Sequence, residues 1–275
     1  MTNISVAELK EKAKQLRNLI IDTTVWAGSG HAGGALSSAD ILIALYFKYL
    51  NVDPKKPCWE DRDRFVLSKG HAAVGYIPCL ALKGFIDKEG LKRFNHFKSP
   101  YGMHPDSLKV TGCDASTGSL GHGLPMGVGM ALGAKVQKKA YKTVVLLGDG
   151  ECNEGSNYEA MMSANHYKLD NLIAIVDRNK FMIDGPTEEV MSLEPFAAKW
   201  TAFGWNVIEV DDGNNMEKVC AALDTAWEHK GSPTVIIAST VKGKGVSFME
   251  NQVVWHYGAL DSSQVEQAKA DIANS

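Results

Sequence analysis

The chain has 275 residues, 45% of them hydrophobic, and 29 basic against 32 acidic residues leave a net charge of −3. That composition provides for a substantial buried core, and without a long run of either sign it argues against nucleic acid or an anionic membrane as a partner. The longest apolar stretch near the start, residues 41–47, is far too short to cross a bilayer.

Ser5-Val6-Ala7-Glu8 fits a capping box ahead of an amphipathic helix over 7–26 better than it fits a signal peptide, so the cytoplasm is the expected compartment. A second helix is predicted over 38–50, where Ile41, Leu42, Leu45 and Tyr46 share one face. A loop rich in Pro and charge follows over 53–63. A strand over Arg64–Leu67 then leads into Ser68-Lys69-Gly70-His71 and a helix over 72–82. Residues 99–117 form a loop holding Met103-His104-Pro105, and 123–139 a helix studded with Gly123, Gly127, Gly129 and Gly133. Glycine inside a helix costs about 1 kcal/mol against alanine, so these four are expected to let backbones pack closely.

The short β-branched runs 143–147 and 172–176 read as strands buried on both faces, with a crossover helix over 157–168. The alternation continues with strands over 205–210 and 234–239 around a helix over 216–229. The expected fold is α/β: one doubly wound, mostly parallel sheet flanked by helices, in a single domain over 1–275.

Gly148-Asp149-Gly150 ends one of these strands, and Asn179 ends another one crossover later. Both should emerge at the carboxyl edge of neighbouring parallel strands, where open α/β sheets bind ligands. Mg²⁺ takes oxygen ligands from one or two protein groups plus phosphates and water, so Asp149, Asn179 and the Phe181 carbonyl are candidate metal ligands on a diphosphate. Gly148 and Gly150 would let phosphate oxygens approach the main chain. Thr117-Gly118-Ser119-Leu120-Gly121 reads as a nest of backbone donors for the same diphosphate. Lys242, in Lys242-Gly243-Lys244-Gly245, either adds positive charge there or belongs to a solvated basic turn.

His31, His71 and His122 each follow a glycine and, with His104 and His256, fall in loops or at helix starts, positions suited to proton transfer near neutral pH. No pair has zinc-ligand spacing, and His96, His166 and His229 read as structural. The cysteines are odd in number and show no CxxC, and Cys152 reads as a packing residue rather than a nucleophile.

Taken together and in order, Ser29-Gly30-His31, Asp61-Arg62-Asp63-Arg64-Phe65, Leu67-Ser68-Lys69-Gly70-His71, Met103-His104-Pro105, Thr117-Gly118-Ser119-Leu120-Gly121 and the Gly148 to Asn179 element resemble transketolases over nearly the whole chain. The resemblance implies the diphosphate-binding (PP) domain of the thiamine-diphosphate fold. It implies Mg²⁺ on Asp149, Asn179 and Phe181, and a cofactor lined by His71, Gly118, Ser119, Leu120, Gly150 and His256. It places His31 and His104 on the ketose donor beside the reacting carbon, with His71 and His256 next to them, and Glu154 opposite a catalytic glutamate of a partner. Two departures are local: Met103 precedes His104-Pro105 where glycine is usual, and Ser119 replaces a proline.

A conventional transketolase continues into a pyrimidine-binding and a C-terminal domain. The resemblance therefore implies the N-terminal subunit of a split transketolase, with a C-terminal subunit supplying the pyrimidine domain and its glutamate in an α2β2 assembly. The expected reaction moves a two-carbon ketol unit between sugars or sugar phosphates. The α subunit of a 2-oxo acid dehydrogenase, a deoxyxylulose-phosphate synthase-like activity and a non-catalytic cofactor-binding subunit remain alternatives.

Overall fold

The sheet has five strands, β1 (Arg64–Leu67), β2 (Thr143–Gly148), β3 (Leu172–Arg178), β4 (Asn206–Val210) and β5 (Thr234–Ser239), in a computed structural model that describes residues 3–275. Their spatial order is β1-β2-β3-β5-β4 and every neighbouring pair is parallel. Among the described residues ten α-helices accompany them: α1 (Val6–Ala27), α2 (Ala32–Ser37), α3 (Ala39–Ala44), α4 (Ala73–Lys83), α5 (Gly123–Val136), α6 (Gly155–His166), α7 (Thr187–Val190), α8 (Phe196–Ala202), α9 (Met216–Glu228) and α10 (Ser262–Asn274).

Side chains alternate strictly between the sheet's two faces, as the two-residue period of a strand requires. Val144 and Leu146 of β2 and Ile173 and Ile175 of β3 join the core under α1, α3, α4, α9 and α10. Their neighbours Val145, Leu147, Leu172, Ala174 and Val176 join a second core under α5, α6 and α8. Each such fully buried aliphatic contributes about 1.5–3 kcal/mol, which explains the apolar runs 144–147 and 172–176 through the middle of β2 and β3. Among the described residues no helix is long and apolar enough to cross a membrane.

The capping box at Ser5 forms, with Ser5 N–H donating to Glu8 Oε2 at 2.9 Å and Glu8 N–H donating to Ser5 Oγ at 3.2 Å. The helix expected over 38–50 forms over 39–49, preceded by a separate short helix that was not expected. α2 stops before Ser38, α3 follows, and Leu45–Tyr49 closes as a π turn. Between α2 and α3, Ser38 donates its hydroxyl to the Gly34 carbonyl at 3.0 Å, a local bond that competes with continuous helix. The glycine expectation holds for half of its set. A Cβ at Gly123 would collide with Ser68 and one at Gly127 with Val145 of β2, whereas at Gly129 and Gly133 it would meet nothing within 4 Å.

Candidate active site

Because all five strands run the same way, the residues following β1, β2, β3 and β5 converge at one edge of the sheet. They line a cleft of about 310 Å³. Gly148 pairs with Asp177 in register, so Asp149 leaves β2 beside the end of β3, where Asn179 leaves one step later.

Asp149 is 2% exposed, and its carboxylate is held on both oxygens. Oδ1 accepts from Gly150 N–H at 2.8 Å, and Oδ2 accepts from Lys180 N–H at 2.5 Å and from the Arg178 guanidinium at 3.2 Å. Burial, and next the charge of Asp177, push its pKa up, which is the signature of a carboxylate short of positive charge. Asn179 donates its amide nitrogen to Asp177 Oδ2 at 3.0 Å, which orients its carboxamide oxygen the other way, within 3.2 Å of Phe181 N–H. Phe181 lines the same cleft, in a hairpin closed by Met182 N–H to the Gly185 carbonyl at 2.8 Å and Thr187 N–H to the Lys180 carbonyl at 2.9 Å. Among the described residues no three His, Cys, Asp or Glu side chains form a group able to hold a metal. A cation here would draw on one carboxylate, an amide oxygen, a main-chain carbonyl and ligand oxygens, the hard-donor set that suits Mg²⁺.

Two buried acids organise the floor. Asp177, fully buried, takes Lys69 Nζ at 2.5 Å, Ser37 Oγ at 2.6 Å and the Thr240 hydroxyl besides Asn179. Burial pushes it toward protonation, but Lys69 and the hydroxyl donors outweigh that and hold the carboxyl below its ordinary range. Glu151 accepts from the Ser68 hydroxyl, from Gly121 N–H at 2.9 Å and from Gly148 N–H at 3.0 Å, tying the loops after β1 and β2 to the 117–121 turn.

Across the cleft stand imidazoles. The rings of His31 and His71 lie 5.2 Å apart, those of His71 and His256 stack at 5.2 Å, and those of His31 and His256 are 5.6 Å apart. The bridge between Gly30 and Gly258 brings the first and last of these loops together. Burial lowers His31 to about 4 and His256 to about 3, and drives His71 well below its usual range. All three are neutral at physiological pH, so they act as hydrogen-bonding groups and not as cations. Lys242, 1% exposed, donates to His256 Nδ1 at 3.0 Å, which leaves the ring proton on Nε2. His31 Nδ1 is buried without a hydrogen-bond partner.

The sequence-derived set divides accordingly. His71, Leu120, Asp149, Gly150, Glu154, Asn179, Phe181, Lys242 and His256 line the cleft. His31 joins through its ring contacts, and Gly118 lies under His104, where a Cβ would approach the imidazole to 3.0 Å. Ser119 and His104 are exposed beside the cleft lining, and Glu154 is exposed at its rim. The basic-turn alternative for Lys242 gives way to a buried position, while its neighbour Lys244 pairs with Glu250 at 3.5 Å. Gly148 is not forced to be glycine by the chain itself, since a Cβ there would find its nearest neighbour at 3.7 Å. Gly150 is tighter: a Cβ there would meet the Met182 side chain at 2.8 Å, which would have to shift. Cys152 is fully buried, and burial pushes its thiol well up, so it packs and does not react. His96, His166 and His229 lie outside the cleft lining. Sequence reasoning assigned no role to Lys69, Glu151, Asp177 or Arg178, although a charged pair closing the apolar run of β3 marks the last two.

The fold and this cleft define a class, the diphosphate-binding α/β domain of thiamine-dependent enzymes. The family description "Transketolase, thiamine diphosphate binding domain" matches residues 9–274. A subunit of the apulose-4-phosphate transketolase from Phocaeicola vulgatus is 45% identical over 270 residues, 98% of this chain and 95% of that protein. A 6-deoxy-6-sulfo-D-fructose transketolase subunit from a Clostridium species is 40% identical over 265 residues, 96% of each. The crystal structure of transketolase from Campylobacter jejuni superposes with a TM-score of 0.92 at 34% identity, covering 99% of this chain and 43% of that one. The chain belongs to the transketolase family, and the 2-oxo acid dehydrogenase alternative is not favoured.

Proposed function

We propose that this chain is the diphosphate-binding subunit of a two-subunit transketolase, moving a two-carbon ketol unit from a ketose to an aldose. The observation that carries this reading is the pairing of Asp149 and Asn179 at adjacent strand ends with a wall of half-buried, neutral imidazoles at the same cleft.

Thiamine diphosphate, when bound, supplies the nucleophilic carbon to which the ketol unit is passed. Asp149, Asn179 and the Phe181 carbonyl hold Mg²⁺ against the diphosphate. Gly118, Ser119, Leu120 and Gly150 present main-chain groups to it, and Lys242 adds charge. His71 and His256 line the cofactor, and the Nε2 proton of His256 is free to be donated into the cleft. His31 and His104 hold the donor's hydroxyls, and Glu154 faces the partner.

Each of the two relatives above is named as one subunit of its enzyme, which supports a partner chain here. That partner would be a C-terminal transketolase subunit supplying a pyrimidine domain and its glutamate, in an α2β2 assembly. We read this chain as a single diphosphate-binding domain, working in the cytoplasm, where its five free cysteines stay reduced. Those relatives are named for different sugars, which supports a donor's far end read mainly by the partner.

Purified alone, the chain should show negligible ketol transfer from a ketose phosphate, and mixing it with its partner should restore activity. Robust turnover by the lone chain overturns the split site, while an inactive mixture over a panel of ketose donors leaves a non-catalytic subunit. In the active mixture His31→Ala should lower turnover by about a hundredfold with little change in cofactor affinity. The reverse pattern moves His31 from substrate to cofactor.

A further inference from the structure

One side chain in this region has no part in the roles assigned above. Arg178, the last residue of β3, is 6% exposed and makes four bonds through its two terminal nitrogens. Nη1 donates to Asp149 Oδ2 at 3.2 Å and to Thr187 Oγ1 at 2.6 Å, and Nη2 donates to Glu188 Oε1 at 2.7 Å and Glu194 Oε1 at 3.2 Å. Its guanidinium carbon sits 5.8 Å from the centre of the Phe196 ring. Glu188 in turn accepts from the Ser192 hydroxyl at 2.5 Å and from Leu193 N–H at 3.2 Å, so the 187–194 segment is organised around the same cation.

The placement matters because Asn179 and Phe181 lie between Arg178 and Thr187. The hairpin that carries them leaves β3 at Arg178 and returns at Thr187, and Arg178 bonds the returning end. The same guanidinium reaches across to the carboxylate at the end of β2. A rigid planar fork with five donors can span these acceptors together; a lysine ammonium can neutralise one of them but cannot bridge the set.

We propose that Arg178 is a positioning residue for the metal–diphosphate site: it pins the 179–186 hairpin at its base and fixes that hairpin to Asp149. The two halves of the clamp are then in register before any cofactor arrives. The inference rests on Asp149 and Asn179 being the metal-binding pair. Arg178 touches neither metal nor cofactor in this scheme, and acts by orienting the groups that do.

The test compares Arg178→Gln, Arg178→Lys and Thr187→Val with wild type, with Asp149→Ala as the anchor. The sample is the full chain with its partner subunit, and the probes are Mg²⁺ and thiamine diphosphate. The Mg²⁺ concentration giving half-maximal cofactor binding should rise about tenfold or more in Arg178→Gln, as for other residues that orient metal ligands, and saturating Mg²⁺ should restore full binding. Arg178→Lys should recover part of the shift. Hydrogen exchange of 179–191 without cofactor should speed up while β2 and the rest of β3 stay protected. A purely structural role would lower stability without moving the Mg²⁺ midpoint. A folded Arg178→Gln with wild-type exchange and wild-type Mg²⁺ dependence overturns the proposal. Should that variant fail to fold, Thr187→Val removes one acceptor at the hairpin base, and an unchanged Mg²⁺ midpoint there overturns it equally. Unchanged Mg²⁺ dependence in Asp149→Ala would instead sink the metal assignment, whatever Arg178 does.

Discussion

The cleft has two walls built on opposite electrostatic principles. On the strand-end wall, Asp149 and Asp177 are buried acids surrounded by donors: Lys69, Arg178, two hydroxyls and main-chain N–H groups. On the facing wall, His71 and His256 stack, His31 packs against both, and burial keeps all three neutral. The contrast matches what each side has to hold. A cation and a diphosphate need fixed charge that does not titrate, whereas sugar hydroxyls need groups that both donate and accept, which an imidazolium cannot do.

The largest test of this division is Lys69→Met. Lys69 and Asp177 are 1% and 0% exposed, and removing one member of a buried pair costs about 3–5 kcal/mol, because the survivor keeps an uncompensated charge. Urea unfolding at pH 7 should show a loss of that size. In wild type the folded pKa of Asp177 is depressed, so its contribution is present above the unfolded carboxyl pKa, about 3.9, and is lost only as pH falls through the lower folded value. In the variant the folded pKa is raised instead, so the deficit against wild type should shrink as pH falls from 7 toward 4. A deficit under about 1 kcal/mol would mean that the hydroxyls and Asn179 suffice and that the strand-end wall is not held by charge.

Lys242 stands where the walls meet, and its titration tests them together. Burial brings its ammonium down to about 8, with Asp149 and Asp177 opposing that shift. Above pH 8 the free cleft loses this positive charge, so diphosphate binding must be paired with proton uptake. Cofactor affinity should therefore be flat below pH 8 and fall by up to about tenfold per unit above it. The unfolded chain binds a proton between about 8 and 10.4 that the folded chain lacks, so cofactor-free stability should rise over that range. Lys242→Met should weaken diphosphate binding by about 1.5–3 kcal/mol and abolish the alkaline limb. A limb that survives the substitution assigns it to another group.

The two walls were unequally legible in the sequence. Asp149 and Asn179 were visible because each ends a short apolar run, and strand ends in a parallel sheet point to one edge. The histidines were visible as residues following glycine, but their neutrality was not, since it depends on burial among rings from loops as distant as residues 31 and 256. Asp177 and Lys69 were missed because their partnership spans 108 positions and neither sits in a glycine-rich turn. In the fold, α10 was missed although Asp261 and Gln264 form a capping box, because its weakly apolar face buries only Ala268 and Ile272. The short α2 ahead of Ser38 went unread because Gly33 and Gly34, poor helix formers, fill a third of its six residues.

The smallest expected effect concerns strain, which the strand-end wall carries at Lys180. This residue has φ of +69°, in the left-handed region where a non-glycine residue costs about 1–2 kcal/mol. What that conformation secures is the 2.5 Å bond from its N–H to Asp149 Oδ2, on the far side of the carboxylate from the Gly150 N–H bond to Oδ1. Glycine can adopt the same φ without a Cβ clash and still donate the same N–H, but it gives up more conformational freedom on folding. The two effects oppose, and Lys180→Gly should stabilise the chain by about 0.5–1 kcal/mol in thermal or urea unfolding. Mg²⁺-dependent cofactor binding should be unchanged, since only main-chain atoms serve the clamp at this position. A destabilised variant would show that the lysine side chain, which lines the neighbouring cleft with Glu194, Glu209 and Asp211, contributes more than its backbone strain removes. The strand-end wall would then extend its charge pairing beyond Arg178, and its difference from the imidazole wall would be larger than the cleft alone displays.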